Sequence, residues 1–278
     1  MQLSANLSWL YRHLDWNERF EAAAADGFQG AEILLPYDHS PAWYASQLQA
    51  AKLELTLINT PIGEGPGRLG WAAVPNAQPQ FHEAFDRARA VAQATGCRRI
   101  HVMAGYVSGL EQEACLTTLL NNLEHALALA EADDLVLTLE ALNRSDMAGY
   151  FYHLPEQAIA VLKHFNAPRL RLQFDYYHCV KESLDVPASV AACAPWIGYV
   201  QIAGADGRYE PDLTQHGLLE GLSALPTLGY DSWLGCEYQP RGLPSEGLSW
   251  CQPLRDRGVL DTARRHNDAA ASFQTAGR

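Results

Sequence analysis

The chain alternates between short, strongly apolar runs and longer stretches whose apolar positions recur at helical spacing. In several of the short runs every second residue is polar, which is the pattern of a β-strand whose two faces meet different surroundings. Eight strands are therefore predicted, at residues 3–7, 31–35, 54–59, 99–103, 135–140, 170–175, 197–202 and 233–237.

The segments between these strands carry signals for the start and the end of helices. Ser40 followed by Pro41 is typical of an N-cap with proline in the first turn, and Pro79 opens a long stretch that Gly96 closes. Residues 111–132 carry leucines at helical spacing. We therefore expect helices to connect the predicted strands.

A strand followed by a helix, repeated eight times without a break in composition, favours a closed parallel barrel over a doubly wound sheet. The predicted fold class is α/β, as a single (β/α)8 TIM barrel. We expect one barrel domain over residues 1–260, followed by a polar tail over residues 261–278.

Composition narrows the choice of partners. Of the 278 residues, 48% are hydrophobic and 19% are charged, which is the balance of a globular protein. With 20 Lys and Arg against 32 Asp and Glu, the net charge is −12, which argues against nucleic acid or an anionic membrane as the main partner. An anionic substrate would then need local positive groups or a metal ion.

Targeting and redox features are sparse. The six cysteines form no Cys-x-x-Cys pair, and no basic amino-terminal region precedes an apolar stretch. No apolar run approaches the roughly 18 residues of a membrane span. These observations predict a soluble, cytoplasmic protein with reduced thiols.

One loop stands out. Residues 61–71 follow the third predicted strand and are dense in glycine and proline. At the carboxyl end of a barrel strand such a segment is either a lid over the active site or a plain connection. Trp71 in this loop would exclude water on closure, or would be an exposed loop aromatic.

Four polar residues end four consecutive predicted strands. Because side chains alternate along a strand, the apolar positions of these strands mark the face turned to the helices, and Glu140, Asp175, Gln201 and Glu237 point inward at the carboxyl rim. In a barrel of this kind the catalytic groups lie at that rim.

Three carboxylates gathered in a partly dry pocket must take up protons or bind a cation. Oxygen ligands suit Mg²⁺, Mn²⁺ or Ca²⁺, and no cysteine or histidine cluster indicates zinc. Each carboxylate alone could instead be solvated or paired with an arginine. Three carboxylates and one glutamine on the same face favour a metal site.

Short motifs surround these four positions. They are Glu140-Ala141-Leu142-Asn143, Gln173-Phe174-Asp175-Tyr176-Tyr177-His178, Tyr199-Val200-Gln201-Ile202-Ala203, Gly207-Arg208-Tyr209-Glu210-Pro211 and Gly235-Cys236-Glu237-Tyr238. In order and spacing the chain resembles the hydroxypyruvate isomerase family of the xylose isomerase-like TIM barrels, over about residues 3–250.

The chain also departs from the family pattern. Ala141 stands where a proline is usual, Gln239 where a lysine is common, and residues 212–217 replace a glycine-rich turn. These changes spare the four rim residues and affect the surroundings of the substrate.

The resemblance implies a divalent metal ion, Mg²⁺ or Mn²⁺, held by Glu140, Asp175, Gln201 and Glu237. It implies that Glu140 and Glu237 are also the paired acid and base.

The resemblance further places His101, His178 and Arg208 near the substrate. Each of the three has an alternative: His101 as a core histidine bonded to a neighbour, His178 as a helix cap, and Arg208 as a solvated loop residue. If Arg208 faces the site, its guanidinium could hold a substrate carboxylate.

The implied reaction is an aldose–ketose type isomerisation of hydroxypyruvate and 2-hydroxy-3-oxopropanoate, with proton transfer through an enediolate. Alternatives are isomerisation of a longer acid such as a 2-oxo-tetronate, 3-epimerisation of a ketose, a metal-dependent hydrolase or lyase, and a sensor barrel that binds a sugar acid. The expected partner is a small anionic keto or hydroxy acid or a sugar, and homo-oligomerisation through helices and loops stays open.

Overall fold

The computed structural model describes residues 1–261. Its eight strands form one closed barrel in which each strand pairs in parallel with the next, and β8 closes on β1. The strands are β1 Gln2–Asn6, β2 Gly30–Ile33, β3 Glu54–Asn59, β4 Arg99–His101, β5 Val136–Glu140, β6 Leu170–Asp175, β7 Ile197–Ile202 and β8 Trp233–Cys236. The predicted single (β/α)8 barrel is confirmed, and the predicted tail at 261–278 lies outside the described residues, apart from its first position.

Helices connect the strands on the outside of the barrel. The helices are α1 Trp16–Ala25, α2 Pro41–Ala51, α3 Gln78–Thr95, α4 Gln112–Ala132, α5 Pro155–Phe165, α6 Tyr176–Lys181, α7 Val186–Cys193, α8 Leu218–Ala224, α9 Pro244–Gly247 and α10 Gln252–Asp256. As predicted, the Ser40 side chain caps α2 by accepting from the Trp43 amide, and Gly96 ends α3 in a left-handed conformation. No helix within residues 1–261 has the length and apolarity that a membrane crossing requires.

Four strands end earlier than predicted. β1 ends at Asn6 instead of residue 7, β2 at Ile33 instead of residue 35, β4 at His101 instead of residue 103 and β8 at Cys236 instead of residue 237. The β4 and β8 ladders still continue by one bond, because the Val102 amide donates to Thr138 O at 3.0 Å and the Glu237 amide donates to Ile202 O at 3.2 Å. Glu237 is therefore held at the rim although it lies outside the strand.

The predicted alternation is present in the strands. Leu139, Leu172 and Val200 are buried on the face that packs against the helices. The inner face carries polar groups linked by hydrogen bonds across the barrel, beside a small apolar cluster that includes Leu57 and Trp233. Ser4 Oγ lies 2.6 Å from Thr56 Oγ1, which lies 2.8 Å from the Tyr199 hydroxyl. The six cysteines are buried and none of them is in a disulfide.

Gly235 on β8 leaves room for a carboxyl group inside the barrel. A Cβ atom at this position would lie 1.7 Å from Glu32 Oε1 and 3.0 Å from Gln201 Cγ. Because the interior is closely packed, overfilling forces side chains and backbone to shift, typically at about 1–3 kcal/mol.

We therefore expect Gly235→Ala to lower the free energy of unfolding by about 1–3 kcal/mol in urea titrations. Gly242→Ala is the matched control, since Gly242 is exposed and its nearest atom is the end of the Glu246 side chain. Equal stability of the two variants would show that the barrel interior accommodates the extra methyl group.

Candidate active site

A small cavity opens at the carboxyl ends of the strands. Its volume is about 190 Å³, below the roughly 300–1,000 Å³ of pockets that hold drug-sized ligands. Its titratable lining residues are Arg68, His101, Glu140, His178, Arg208 and Glu237. The cavity therefore combines carboxyl, imidazole and guanidinium groups in a space suited to a small molecule.

Glu140 ends β5 and is buried against the floor of the cavity. Its Oε2 accepts a hydrogen bond from Gln173 Nε2 at 2.8 Å and lies 3.3 Å from His101 Nδ1. Burial raises the pKa of Glu140 well above its usual value, and the nearby carboxylates of Glu237 and Asp175 add to the increase. This carboxyl group therefore holds a proton more readily than an exposed glutamate does.

Glu237 follows β8 and pairs with an arginine. Arg208 Nη2 lies 2.7 Å from Glu237 Oε1, and Arg208 Nε donates to the Glu237 carbonyl at 3.3 Å. Burial raises the pKa of Glu237 to about 7, while Arg208 works in the opposite direction. A carboxyl group with such a pKa can exchange a proton near neutral pH.

A buried chain of hydrogen bonds fixes the polar side chains beneath these groups. Gln173 Nε2 donates both to Glu140 Oε2 and to Gln201 Oε1, the latter at 2.7 Å. Gln201 Nε2 in turn donates to Glu32 Oε2 at 2.9 Å. Glu140 on β5 and Gln201 on β7 are therefore joined by one amide on the strand between them.

Glu32 on β2 was missed by the sequence analysis. It is fully buried and accepts hydrogen bonds from Asn6 Nδ2 at 2.8 Å and from the Tyr199 hydroxyl at 2.6 Å, besides that from Gln201. Burial raises its pKa to about 8. Its position between the apolar Ala31 and Ile33 is the alternation that could have identified it.

Asp175 has one oxygen without a partner. Its Oδ1 accepts from the Tyr177 amide at 2.8 Å, whereas its buried Oδ2 has no hydrogen bond within residues 1–261. Ligand atoms of Glu140, Asp175 and His178 lie within 4.8 Å of one another. An orphaned carboxylate oxygen beside a second buried carboxylate fits a divalent cation, which prefers such oxygens.

His178 lies beside this pair of carboxylates. Its Nδ1 accepts a hydrogen bond from the Asn143 amide at 3.0 Å, and burial lowers its pKa well below the usual value. The neutral ring therefore carries its proton on Nε2, which lies 3.7 Å from both Glu140 Oε1 and Asp175 Oδ2. An N–H at that position can donate to a bound ligand, whereas a metal would need a lone pair there.

His101 lies on the opposite side of Glu140. It is buried, burial lowers its pKa to about 3, and neither ring nitrogen has a hydrogen-bond partner within the described chain. A core histidine bonded to a neighbour was the alternative at this position, but the nearby Glu140 Oε2, 3.3 Å from Nδ1, makes no hydrogen bond with the ring. Unpaired buried nitrogens in a cavity wall are available to a ligand.

Arg208 is held on all sides. Its guanidinium lies 4.7 Å from the ring centroids of both Trp9 and Tyr177, and its Nη2 lies 3.7 Å from Asp175 Oδ2 besides its pairing with Glu237. Only 9% of its surface is exposed. The solvated alternative is therefore wrong, and the two carboxylates already neutralise much of the charge that was predicted to hold a substrate carboxylate.

The seven predicted site residues thus lie close together at the carboxyl ends of the strands, in two different kinds of surroundings. Glu140, Asp175 and His178 form the compact group described above. Glu237 faces Arg208, and Gln201 lies in the floor with its Oε1 bonded to Gln173. Metal ligation by Gln201 and Glu237 stays a prediction.

The glycine-rich loop after β3 contributes to the cavity wall through Ile62, Arg68 and Leu69. Trp71 is half-buried beneath the loop, where Cβ atoms at Gly63 and Gly67 would lie 2.2 and 2.1 Å from its ring. The indole therefore supports the loop, and it is not among the cavity-lining residues of the described chain.

Comparison with known proteins agrees with this geometry. The family model described as xylose isomerase-like TIM barrel matches residues 20–254. The chain belongs to this family. A 2-oxo-tetronate isomerase from Cupriavidus necator is 38% identical over 92% of this chain and 99% of its own length, and a putative hydroxypyruvate isomerase from Mus musculus is 39% identical over 92% and 96%.

A solved structure is similar over the same region. The crystal structure of an AP endonuclease, family 2, from Brucella melitensis has a TM-score of 0.85 and 33% identity, and the match covers 91% of this chain and 98% of that one. The family membership that the motifs implied is thus confirmed.

The buried carboxyl groups predict an unusual dependence of stability on pH in the metal-free protein. Burial raises the pKa of Glu32 from 4.5 to about 8, so between these values the folded state holds a proton that the unfolded state has released. The free energy of unfolding should therefore fall as pH rises from about 5 to 8, by up to about 1.4 kcal/mol per pH unit for each such proton.

We expect Glu32→Gln to make the fall of the unfolding free energy with pH shallower. Urea titrations at several pH values, with a chelator present to remove metal ions, measure this slope. Glu54→Gln is the control, because Glu54 is an exposed glutamate on the neighbouring strand β3. A slope in Glu32→Gln as steep as that of the wild type would contradict the assignment of the proton to Glu32.

Proposed function

We propose that the protein is an intramolecular oxidoreductase that interconverts a small α-hydroxy aldehyde acid and the corresponding hydroxy ketone acid. The reaction in the first instance is that of hydroxypyruvate and 2-hydroxy-3-oxopropanoate. One observation carries the proposal: two buried carboxyl groups, Glu140 from β5 and Glu237 after β8, line one small cavity together with two neutral histidines.

The two glutamates can move a proton between adjacent carbons. One abstracts it from the carbon that carries the hydroxyl group, and the other delivers a proton to the neighbouring carbonyl carbon, with an enediolate in between. The hydroxyl proton moves to the former carbonyl oxygen in the same reaction, so that the two oxygens exchange their states. Burial raises the pKa of both groups, so each holds a proton more readily than an exposed glutamate, and the Glu237 pKa of about 7 lets that group exchange a proton near neutral pH.

The histidines support the same reaction. The Nε2–H of His178 and the single N–H of the neutral His101 ring can donate hydrogen bonds to substrate oxygens, on which negative charge develops during the reaction. Because the groups are buried and fixed before the substrate binds, these hydrogen bonds require little reorganisation.

A divalent cation completes the proposal, with Mg²⁺ or Mn²⁺ the ions that this oxygen-rich donor set suits. Glu140 and Asp175 would hold it, joined by Gln201 and Glu237. When bound, it would supply Lewis-acid stabilisation of the negative charge on the substrate oxygens.

Isomerisation of a 2-oxo-tetronate is the second candidate, because the relative from Cupriavidus necator is named for it. A nucleic-acid substrate, which the name of the Brucella melitensis structure brings in, fits poorly with a net charge of −12 and a cavity of about 190 Å³. A sugar-acid sensor would have no use for two matched carboxyl groups.

One experiment distinguishes these candidates. The protein is incubated in deuterated solvent with a panel of three- to six-carbon keto acids and ketoses, and deuterium incorporation into each compound is measured by NMR.

We expect Glu237→Gln and Glu140→Gln each to lower the rate of deuterium exchange into the substrate by at least about 100-fold, since each removes a group that transfers the proton. Circular dichroism should show an unchanged fold. Glu83→Gln, at an exposed position of α3, is the control. Near-normal exchange in Glu237→Gln would exclude its role as acid or base.

Metal binding should be visible without catalysis. Mg²⁺ or Mn²⁺ should raise the Tm of the wild type, and more at pH 8 than at pH 5, because the ligating carboxyl groups must lose their protons. Asp175→Asn should abolish the increase, whereas Asp231→Asn, at an exposed position before β8, should retain it. The same increase in Asp175→Asn and the wild type would place the cation elsewhere.

A further inference from the structure

The cavity contains two guanidinium groups with very different surroundings. Arg208 pairs with Glu237 at 2.7 Å and lies 3.7 Å from Asp175. Arg68 lines the same cavity, yet within residues 1–261 no carboxylate oxygen lies within 4.0 Å of its guanidinium nitrogens. The charge of Arg208 is therefore largely neutralised within the protein, whereas the charge of Arg68 is unpaired in the described chain.

Arg68 is held in place although it has no ionic partner. Its Cζ lies 3.2 Å from the centroid of the Tyr106 ring, and its Nη1 donates to Gly65 O at 3.2 Å. Stacking of this kind orients the planar guanidinium and leaves its remaining N–H groups available.

The loop that carries Arg68 is built against the rest of the barrel. The Tyr106 amide donates to Pro66 O at 2.9 Å, and the Gly63 amide donates to Gly67 O at 2.8 Å. Gly70 has φ of 99° and packs so closely on Met103 that a Cβ atom would lie 2.2 Å from Met103 O. Only glycine fits there, so the loop presents Arg68 from a defined part of the cavity wall.

We propose that Arg68 binds the carboxylate of the substrate and thereby selects sugar acids over neutral sugars. The proposal rests on the proposed function, since it assigns one end of the same substrate. A chain with a net charge of −12 repels an anion, so a positive side chain in the cavity favours the binding of an anionic substrate, besides any bound metal ion. Arg68 is the cavity-lining arginine whose charge no described carboxylate has already taken.

This assignment fixes the orientation of the substrate in the cavity. Its carboxylate lies against the loop after β3, and its reacting carbons lie between Glu140 and Glu237. Arg208 then acts on Glu237 and not on the substrate carboxylate.

The test compares two substrates that differ only at one end. Hydroxypyruvate carries a carboxylate where dihydroxyacetone carries a hydroxymethyl group, and deuterium exchange into both is followed by NMR. For Arg68→Gln we expect the ratio of kcat/KM for hydroxypyruvate to that for dihydroxyacetone to fall about 10- to 100-fold, mainly through KM, as a lost hydrogen bond to a charged group implies. Arg68→Lys should lie between this variant and the wild type.

Arg87→Gln is the matched control, because Arg87 is an exposed arginine over another tyrosine ring, that of Tyr37, outside the cavity lining. Its ratio should equal that of the wild type. An unchanged ratio in Arg68→Gln would overturn the proposal.

A binding experiment separates this inference from the proposed function. Calorimetric titration with tartronate, an inert dicarboxylic acid of the same carbon number, needs no turnover. We expect Arg68→Gln to weaken the binding of tartronate about 10- to 100-fold. This expectation holds even if the wild type exchanges no deuterium into any substrate. Equal affinity in the variant and the wild type, or no binding to either, would refute the role of Arg68.

Discussion

The buried carboxyl groups of the barrel mouth are the constraint on which the site depends. Glu32, Glu140, Asp175 and Glu237 are all buried, and within the described chain Arg208 is the arginine that contacts the group. Removing an ionised carboxylate from water without a partner is so unfavourable that the group takes up a proton or binds a cation. The raised pKa values of these residues follow from the burial itself, and they provide the acid–base capacity that the proposed reaction needs.

A chain of hydrogen bonds under the cavity holds the buried polar side chains in fixed positions. Glu32 orients Gln201, and the Gln173 amide joins Gln201 to Glu140. These buried hydrogen bonds therefore connect β2 with β5 across the barrel. Gly235 belongs to the same arrangement, since the space left by its missing side chain is occupied by the Glu32 carboxyl group.

Sequence alternation predicted much of this site and the contacts decided the rest. The inward position of Glu140, Asp175 and Gln201 follows from the two-residue period of their strands, and the eight-fold repeat was enough to predict the barrel. Glu32 obeys the same period, but a single polar residue in a short strand carries little weight until Gln201 is seen beside it.

The pairing of Arg208 with Glu237 was beyond the reach of the sequence for a different reason. Both residues lie outside the strands, on loops whose path depends on tertiary contacts, such as the stacking of Arg208 between Trp9 and Tyr177. From the sequence, Arg208 was a candidate for binding the substrate carboxylate. In the structure its charge is paired with the carboxylate of Glu237. The orientation of Arg68 likewise depends on Tyr106, which follows a different strand.

These observations separate the chemistry of the site from its selectivity. The groups proposed to move protons, Glu140 and Glu237, lie at the rim of the barrel, where strand pairing and buried hydrogen bonds fix them. The unpaired cation, Arg68, comes from the loop after β3, which supplies none of the hydrogen bonds of the cavity floor. Because Arg208 is already paired with Glu237, the proposal for Arg68 assigns the choice between a carboxylate and a neutral group to this loop. On that proposal, a change at Arg68 alters the substrate that is accepted and leaves the pair of glutamates in place.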